Sequence, residues 1–498
     1  MLCDNCGKNN ATTHIRSVVN GVVTEKNLCG YCAAKQGYSS ISNNGLAGML
    51  ASMFSDVLSS GSNSAEKRCP VCGASFSDIA ESGKVGCAEC YNTFYDELLP
   101  YLKRVHGSTK HTGKIPNKAP LAVKPEKETV EDLRMQLNTL IREEKFEQAA
   151  VIRDKIKNWR EREMSNWYNV TAPDDDIAVS SRIRLARNLT GLPFPSRMSG
   201  QQLAELNEKV KAAVLESNTP FAKTLKFIPM DSVPENQVYA MVERHIISRE
   251  FAANRQGRAI ILSNDESISI MIGEEDHIRI QVILGGLQLE KAYDTAERLD
   301  TLLCDRLGFA FDQRLGFLTE CPTNLGTGLR ASVMLHLPLL ESSGEIAALS
   351  DSVSKIGFTF RGMYGEGTKA LASLYQVSNQ ITLGISEKNA LDNLSIITKQ
   401  LIEKERQAYK GINHLKMEDI CFRALGALKN CRILSSEEMM KLLSRIKLGQ
   451  SMGIIEIKES PVRLLIEGQP YMLMRKHGDM SAEERDACRA EMIRKALE

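Results

Sequence analysis

Eight of the chain's 13 cysteines fall before residue 91 as four C-x-x-C pairs: Cys3/Cys6, Cys29/Cys32, Cys69/Cys72 and Cys87/Cys90. No other feature restricts the fold of the first segment so tightly. Each pair makes a tight knuckle presenting two sulfurs to one ion, and two knuckles close a tetrahedral structural zinc site with no open position for chemistry. The start, Met1-Leu2-Cys3-Asp4, lacks a charged region followed by an apolar core, so metal ligation is favoured over disulfides, with redox dithiols as the alternative. Two structural zinc ions are expected, paired sequentially. The spacing leaves open a cross-braced arrangement, in which the first and third pairs share an ion.

At 498 residues the chain is too long for one core, and several domains follow from typical domain size. Its formal charge of +1 supplies no global field toward nucleic acid or membrane. No uninterrupted apolar run is long enough to cross a bilayer, so a cytoplasmic protein without membrane contact is expected. Residues 1–36 read as the first four-cysteine zinc module and 67–106 as the second, closed by a helix over Tyr91 to Val105. Between them, residues 37–66 form a Gly/Ser/Asn-rich tether carrying Leu46, Met49, Leu50, Met53, Phe54, Val57 and Leu58 at helical spacing. Residues 107–128 mix Lys, Pro and Gly and read as a linker. In 129–163, Leu133, Leu137, Leu140 and Ile141, then Phe146, Ala149, Ala150, Ile152 and Ile156, describe a helical hairpin broken at Glu143-Glu144-Lys145.

Residues 164–405 hold the chemistry. Arg182 and Arg184, two apart, share a face on an extended strand, and two guanidiniums side by side call for an anion between them. Ile260 to Ser263 and Ser267 to Ile272 read as strands around the turn Asn264-Asp265-Glu266. They lead into Gly273-Glu274-Glu275-Asp276-His277-Ile278-Arg279, an acidic run that is costly unless cations join it. Cys321-Pro322-Thr323-Asn324-Leu325-Gly326-Thr327-Gly328-Leu329-Arg330 follows, a thiol and a glycine loop ending in arginine, then Arg361-Gly362 before another glycine loop. Residues 406–498 turn helical over Asp419 to Leu428, Ser435 to Lys447 and Ser481 to Leu497, with Ser481 placed to cap the last helix. On that helix Arg485 and Arg489 lie one turn apart, on one face.

These motifs resemble known families. Leu133 through Ile156, with Phe146-Glu147-Gln148-Ala149-Ala150 and Arg153-Asp154, resembles the UVR motif, and residues 1 to about 163 together resemble the McsA zinc-binding activators. Ser-Ser-Arg-Ile-Arg, Glu-Glu-Asp-His-Ile-Arg, Cys-Pro-Thr-Asn-Leu-Gly-Thr-Gly and the Arg-Gly before a glycine loop look like the phosphagen kinases, the ATP:guanidino phosphotransferases. The resemblance implies a multidomain fold: small zinc modules, a UVR hairpin, an α+β catalytic domain with an antiparallel sheet flanked by helices, and an α-helical C-terminal domain.

It also implies that Arg182, Arg184, Arg279, Arg330 and Arg361 cradle the phosphates of ATP with Mg2+, with His277 in the same set. Glu275, with Glu274, would orient and deprotonate the guanidinium, and Cys321 would sit beside it. Only Trp167 to Ile177 precedes the arginine pair in this half, without the helical lid of the small-substrate enzymes, so the closer resemblance is to the McsB branch, the protein-arginine kinases. That branch implies a phosphoarginine motif, here Arg485, Asp486, Arg489 and Ala490. It further implies bacterial stress response, a Clp-type chaperone-protease and a stress-gene repressor as partners, and a homo-oligomer through the kinase half. A plausible second start at Met164 suggests a fusion, natural or engineered, whose zinc would be dispensable for basal catalysis. The alternatives are a kinase of small guanidino compounds and a catalytically silent zinc/UVR adaptor.

Overall fold

The structure, a computed structural model, describes residues 13–19, 22–28, 67–116, 130–143, 145–153, 166–169, 172–362 and 370–498. Cys3, Cys6, Cys29, Cys32, the apolar stretch 46–58 and the glycine loop after Gly362 lie outside the described residues. The chain divides into two compact units, Met1–Val85 and Gly86–Glu498. In the first, β1 (Thr13–Val19) and β2 (Val22–Leu28) pair antiparallel, Val19 opposite Val22. The helix Phe76–Ser82 starts with a capping box between Ser75 and Asp78, which satisfies its first free amides, and stops at Gly83 in the left-handed conformation.

The second unit opens with two helices, Ala88–Thr93 and Tyr95–His106, where the sequence reads as one closing helix. The backbone leaves the helix at Phe94 (φ −114°, ψ 30°), and this break accompanies the burial of Phe94, Leu98, Tyr101 and Leu102. The stretch after them, read as linker, is tied down through residue 114. His111 N–H donates to Arg314 O at 2.7 Å, Lys114 N–H meets the Glu387 carboxylate at 3.0 Å, and Lys114 Nζ reaches Thr301 at 2.8 Å and Asp300 at 3.2 Å. The helical hairpin is present: Val130–Arg142 and residues 146–153 are helical, with Leu133 and Ile152 packed among Leu137 and Leu140.

The catalytic core is one antiparallel sheet of eight strands: β3 (Ala178–Arg187), β4 (Leu225–Pro229), β5 (Ala259–Ser263), β6 (Ile268–Ile272), β7 (Ile278–Gly285), β10 (Leu329–His336), β11 (Phe358–Gly362) and β12 (Leu374–Asn379). Its order is β11-β12-β10-β3-β7-β6-β5-β4, and two further short strands, β8 (Phe311–Asp312) and β9 (Gly316–Phe317), pair separately. The β5–β6 hairpin matches the two strands read around residues 264–266. Alternation sorts the sheet's faces. Ile183, Leu185, Ile280 and Val333 join one core with Leu206, Leu299, Leu303 and Leu394 of the helices Gly200–Leu215, Leu289–Leu307 and Glu387–Lys410. The intervening positions, Arg182, Arg184 and Arg330, are left for the opposite face.

Five helices complete the unit: His414–Asn430, Ser436–Ser451, Pro461–Glu467, Pro470–His477 and Ala482–Ala496. Met417, Cys421, Leu428, Met439, Leu443, Ile446 and Ile493 form their core. Ser481 caps the last helix, in a capping box with Glu484. Among the described residues no helix is long and apolar enough to cross a membrane.

Candidate active site

The strand register builds the arginine cradle. Arg184 of β3 faces Arg330 across β10, Arg279 of β7 faces Ala186, and Arg361 of β11 faces Gln376 of β12. Arg182 spans toward the same side, its Nη2 donating to Gln376 Oε1 at 2.6 Å. All five arginines line one cavity of about 800 Å³, with His245, Ser248 and Arg249 on one wall and Glu437, Gln469 and Pro470 of the C-terminal helices on another. Burial, then the neighbouring Arg330 and Arg279, pull Arg182 down to about 10, and burial with Arg182, Arg330 and Arg279 pulls Arg184 well below the usual guanidinium value. A cluster of guanidiniums at this depth is costly until a polyanion fills it, and their forks match phosphate oxygens.

The acidic run supplies the counterpart. Burial alone would lower Arg279, but the charges of Glu274, Glu275 and Asp276 hold it above its ordinary value. Glu274 is buried, ion-paired with Arg279 and accepts from Ser248. Glu275 is more open: its side chain is 29% exposed, one oxygen lies 3.7 Å from Arg279 Nη2, and the other accepts from Asn324 Nδ2 at 2.8 Å. Asn324 closes the 3-10 turn Pro322–Asn324, which starts at the half-buried Cys321. The Cys321 turn and Glu275 therefore meet at one point. A carboxylate oriented by an amide of the turn that carries a thiol, and near one arginine of the cradle, can align a guanidinium and take its proton while negative charge on a transferring group is stabilised.

The loop after Cys321 needs glycine. At Gly326 (φ 106°) an added Cβ would lie 2.4 Å from Thr382 O. Arg187 holds the loop from below, donating to Thr327 O at 2.9 Å while paired to buried Asp300 at 2.7 Å.

Two expected site residues are placed elsewhere. His277 does not join the cradle: it is fully buried, its Nδ1 accepts from Leu189 N–H at 2.9 Å and its Nε2 lies 2.7 Å from Pro193 O. Burial pushes it down to about 4, so it is a neutral internal tie. Arg489 is 1% exposed and donates to Gly468 O at 2.7 Å, Leu434 O at 2.6 Å and the Asp486 carboxylate, so its guanidinium is spent on main-chain carbonyls. Ala490 is buried as well, while Arg485 and Asp486 are half-exposed, Arg485 donating to Met480 O at 2.8 Å. Residues that sequence reasoning gave no role are Asn324, Ser248 and Gln376. Asn324 lies within the quoted Cys-Pro-Thr-Asn motif, but an asparagine's type does not say which carboxylate it meets.

The second four-cysteine set converges. The sulfurs of Cys69, Cys72, Cys87 and Cys90 lie within 4.8 Å of one another, and those of Cys87 and Cys90 are 3.7 Å apart. Tetrahedral zinc with Zn–S bonds of about 2.3 Å requires sulfur separations of about 3.8 Å. The set fits the ion, and it pairs the third and fourth C-x-x-C motifs with each other, as sequential pairing requires.

Residues 205–408 match the C-terminal catalytic domain of the ATP:guanido phosphotransferases, 67–113 the McsA central zinc-finger domain, 127–162 the UvrB/uvrC motif, and 414–498 the C-terminal domain of the protein-arginine kinase McsB. The protein-arginine kinase of Halothermothrix orenii is 43% identical over 349 residues, 69% of this chain and 99% of that relative. That of Caldanaerobacter subterraneus subsp. tengcongensis is 41% identical over 325 residues, 64% of this chain and 96% of the relative. Among solved structures, the duplicated taurocyamine kinase of Schistosoma mansoni superposes with a TM-score of 0.50 substrate-free, covering 71% of this chain and 48% of that one at 23% identity. With bound transition-state analogue components the score is 0.54, covering 78% and 52% at 22% identity. At that identity the likeness is one of fold. The chain belongs to the protein-arginine kinase family, with McsA-type zinc-finger and UVR segments fused ahead of a phosphagen-kinase catalytic domain.

Proposed function

We propose that this protein-arginine kinase transfers the γ-phosphate of ATP, accompanied by Mg2+, with Arg182, Arg184, Arg279, Arg330 and Arg361 holding the phosphates. Glu275 aligns the substrate guanidinium and accepts its proton as the P–N bond forms, and Cys321 lies beside it. The observation that carries this assignment is the meeting of Glu275, Asn324 and the Cys321 turn beside Arg279, one of the arginines that line the cavity. Glu274, buried against Arg279, serves by holding that arginine. Mass spectrometry of a test protein incubated with the chain, ATP and Mg2+ tests the reading: phosphoarginine should appear and should vanish in Glu275→Gln. Transfer confined to free arginine or creatine would favour the small-guanidino alternative. Arginine phosphorylation unaffected by Glu275→Gln would remove Glu275 from its role.

The wider setting is a bacterial stress response in which the cytoplasmic kinase marks proteins, a stress-gene repressor among them, for a Clp-type chaperone-protease, working as a homo-oligomer through its kinase half. The UVR hairpin supports a protein-binding role, since Met135, Ile141, Phe146 and Val151 are exposed on it. Arg485 and Asp486 remain the accessible part of the phosphoarginine motif, and a second zinc ion on Cys3, Cys6, Cys29 and Cys32 completes the assignment. Metal analysis should give two zinc ions per chain, and one after all four of these cysteines are changed to serine.

A further inference from the structure

One helix of the C-terminal group walls the cavity that the arginines line. Ser436, Glu437 and Met440, from the first turns of Ser436–Ser451, stand beside Gln469 and Pro470, where the helix Pro470–His477 begins. These five residues come from two chain segments, and one side chain fastens both. Arg489 donates through Nε to Gly468 O at 2.7 Å and through Nη1 to Leu434 O at 2.6 Å. Gly468 directly precedes Gln469, and Leu434 precedes the cap Ser435 of the longer helix. Leu434 N–H also donates to Asp486 O at 3.1 Å, so this end of the helix is held by the last one from two sides.

The far end of the helix Ser436–Ser451 is pinned to the sheet. Ser444, Lys447 and Ser451 recur at three and four residues, so they share a face. Lys447 Nζ donates to Asp175 O at 2.8 Å and to Asp176 O at 2.9 Å, Ser451 Oγ donates to Asp176 O at 2.8 Å, and Ser444 Oγ lies 2.8 Å from His336 Nε2. Asp176 leads into β3, which carries Arg182 and Arg184, and His336 ends β10, which carries Arg330. The receiving loop is itself fixed, since Arg406 pairs with Asp176 at 2.7 Å and with Asp174 at 2.9 Å. Lys447 is 5% exposed, and burial pulls its ammonium down to about 8 against the attraction of Asp175 and Asp176. An apolar residue would pack there at less desolvation cost. What the ammonium adds is a fixed height and rotation, relative to the arginine-bearing strands, for a helix about 24 Å long.

We propose that the helix Ser436–Ser451 is a wall of the nucleotide site, and that Lys447 and Arg489, fastening its two ends, are positioning residues for nucleotide binding. The inference rests on the reading of the five arginines as the phosphate cradle: with the phosphates there, the rest of the nucleotide meets the other walls of the cavity. Neither anchor reaches Glu275 or the Cys321 turn through these hydrogen bonds, so nucleotide affinity is lost while the chemical step is spared. Lys447 stands outside the Arg485–Ala490 motif, so an effect shared by the two anchors is not one of phosphoarginine recognition.

The test compares the full chain with Lys447→Met and Arg489→Met, each of which keeps an unbranched stem in place and removes the donors. Calorimetry gives the Kd for MgADP, steady-state kinetics with a protein substrate give KM for ATP and kcat, and thermal melting reports folding. Both variants should raise Kd and KM on the order of tenfold, the scale on which a residue touching no ligand shifts a site, with kcat at saturating ATP within about twofold of wild type. Folded variants that bind MgADP as wild type does, whatever their melting temperature, show a packing role alone and overturn the proposal. So does a fall in kcat at unchanged KM. If the substitutions prevent folding, hydrogen exchange of the wild-type chain decides: saturating MgADP should slow exchange over residues 435–441 and 469–473, and exchange there that ignores the nucleotide overturns the proposal. A wild-type chain that binds no MgADP overturns the phosphate cradle instead.

Discussion

Arg330 stands directly opposite Arg184 on adjacent strands, within a cavity that four other arginines line. A lysine there keeps the charge and loses the fork, so Arg330→Lys should lower kcat by about a hundredfold, the scale of removing one preorganised donor to transition-state charge. Steady-state kinetics with a protein substrate check it, and unchanged turnover would refute the cradle. Asn324→Ala should leave KM for ATP alone and reduce kcat on the order of tenfold, because Glu275 loses the amide that orients it; an unaltered kcat would make that hydrogen bond incidental. At this scale the sequence was readable where charge and spacing coincide. Arginines two apart on a strand must share a face, and three acids in a row need cations. It was not readable at His277 and Arg489. A side chain held by internal hydrogen bonds to the main chain has the same letter as one that meets a ligand.

Among elements, the strands and the helical hairpin were legible because their apolar periods of two and of three to four are tertiary facts written locally. The split at Phe94 and the tying down of residues 107–114 were not, since both depend on a partner surface distant in sequence. The helix Pro470–His477 shows the same dependence. Its first amides, Tyr471 N–H and Met472 N–H, are capped by Glu243 at 3.1 and 2.8 Å, a carboxylate from the distant helix Glu235–Glu243. Burial pushes Glu243 up to about 7 against those hydrogen bonds. A carboxyl raised on folding stabilises most below its unfolded value of about 4.5, and that contribution fades as pH rises through about 7. The melting temperature of wild type minus that of Glu243→Gln should therefore shrink between pH 4.5 and 7 and level off above. A difference that is flat with pH, or grows, would show that the carboxyl is not raised.

For the whole molecule, the expectation from sequence is separability: zinc modules ahead, catalysis behind, and chelation harmless to the second. The described contacts argue otherwise. Tyr91, Phe94, Tyr101 and Leu102 are buried, Tyr91 and His106 bond to the Cys321 turn, and Lys114 shares buried Asp300 with Arg187, which in turn holds Thr327 of the glycine loop. The protein-arginine kinases that this chain resembles match only about two thirds of it, over almost their whole length. Residues 164–498 alone should therefore fold and bind ATP with unchanged affinity. Their Cys321 turn would lack its two outer hydrogen bonds, and kcat should fall on the order of tenfold below the full chain. Adding residues 1–163 as a separate polypeptide should restore part of the rate with a saturable concentration dependence. Zinc chelation should abolish that rescue, since the knuckles that hold the segment's fold need the ion. If residues 164–498 already match the full chain in kcat, the fused finger is a passenger to catalysis, and the contacts at Thr319 and Pro322 serve packing only.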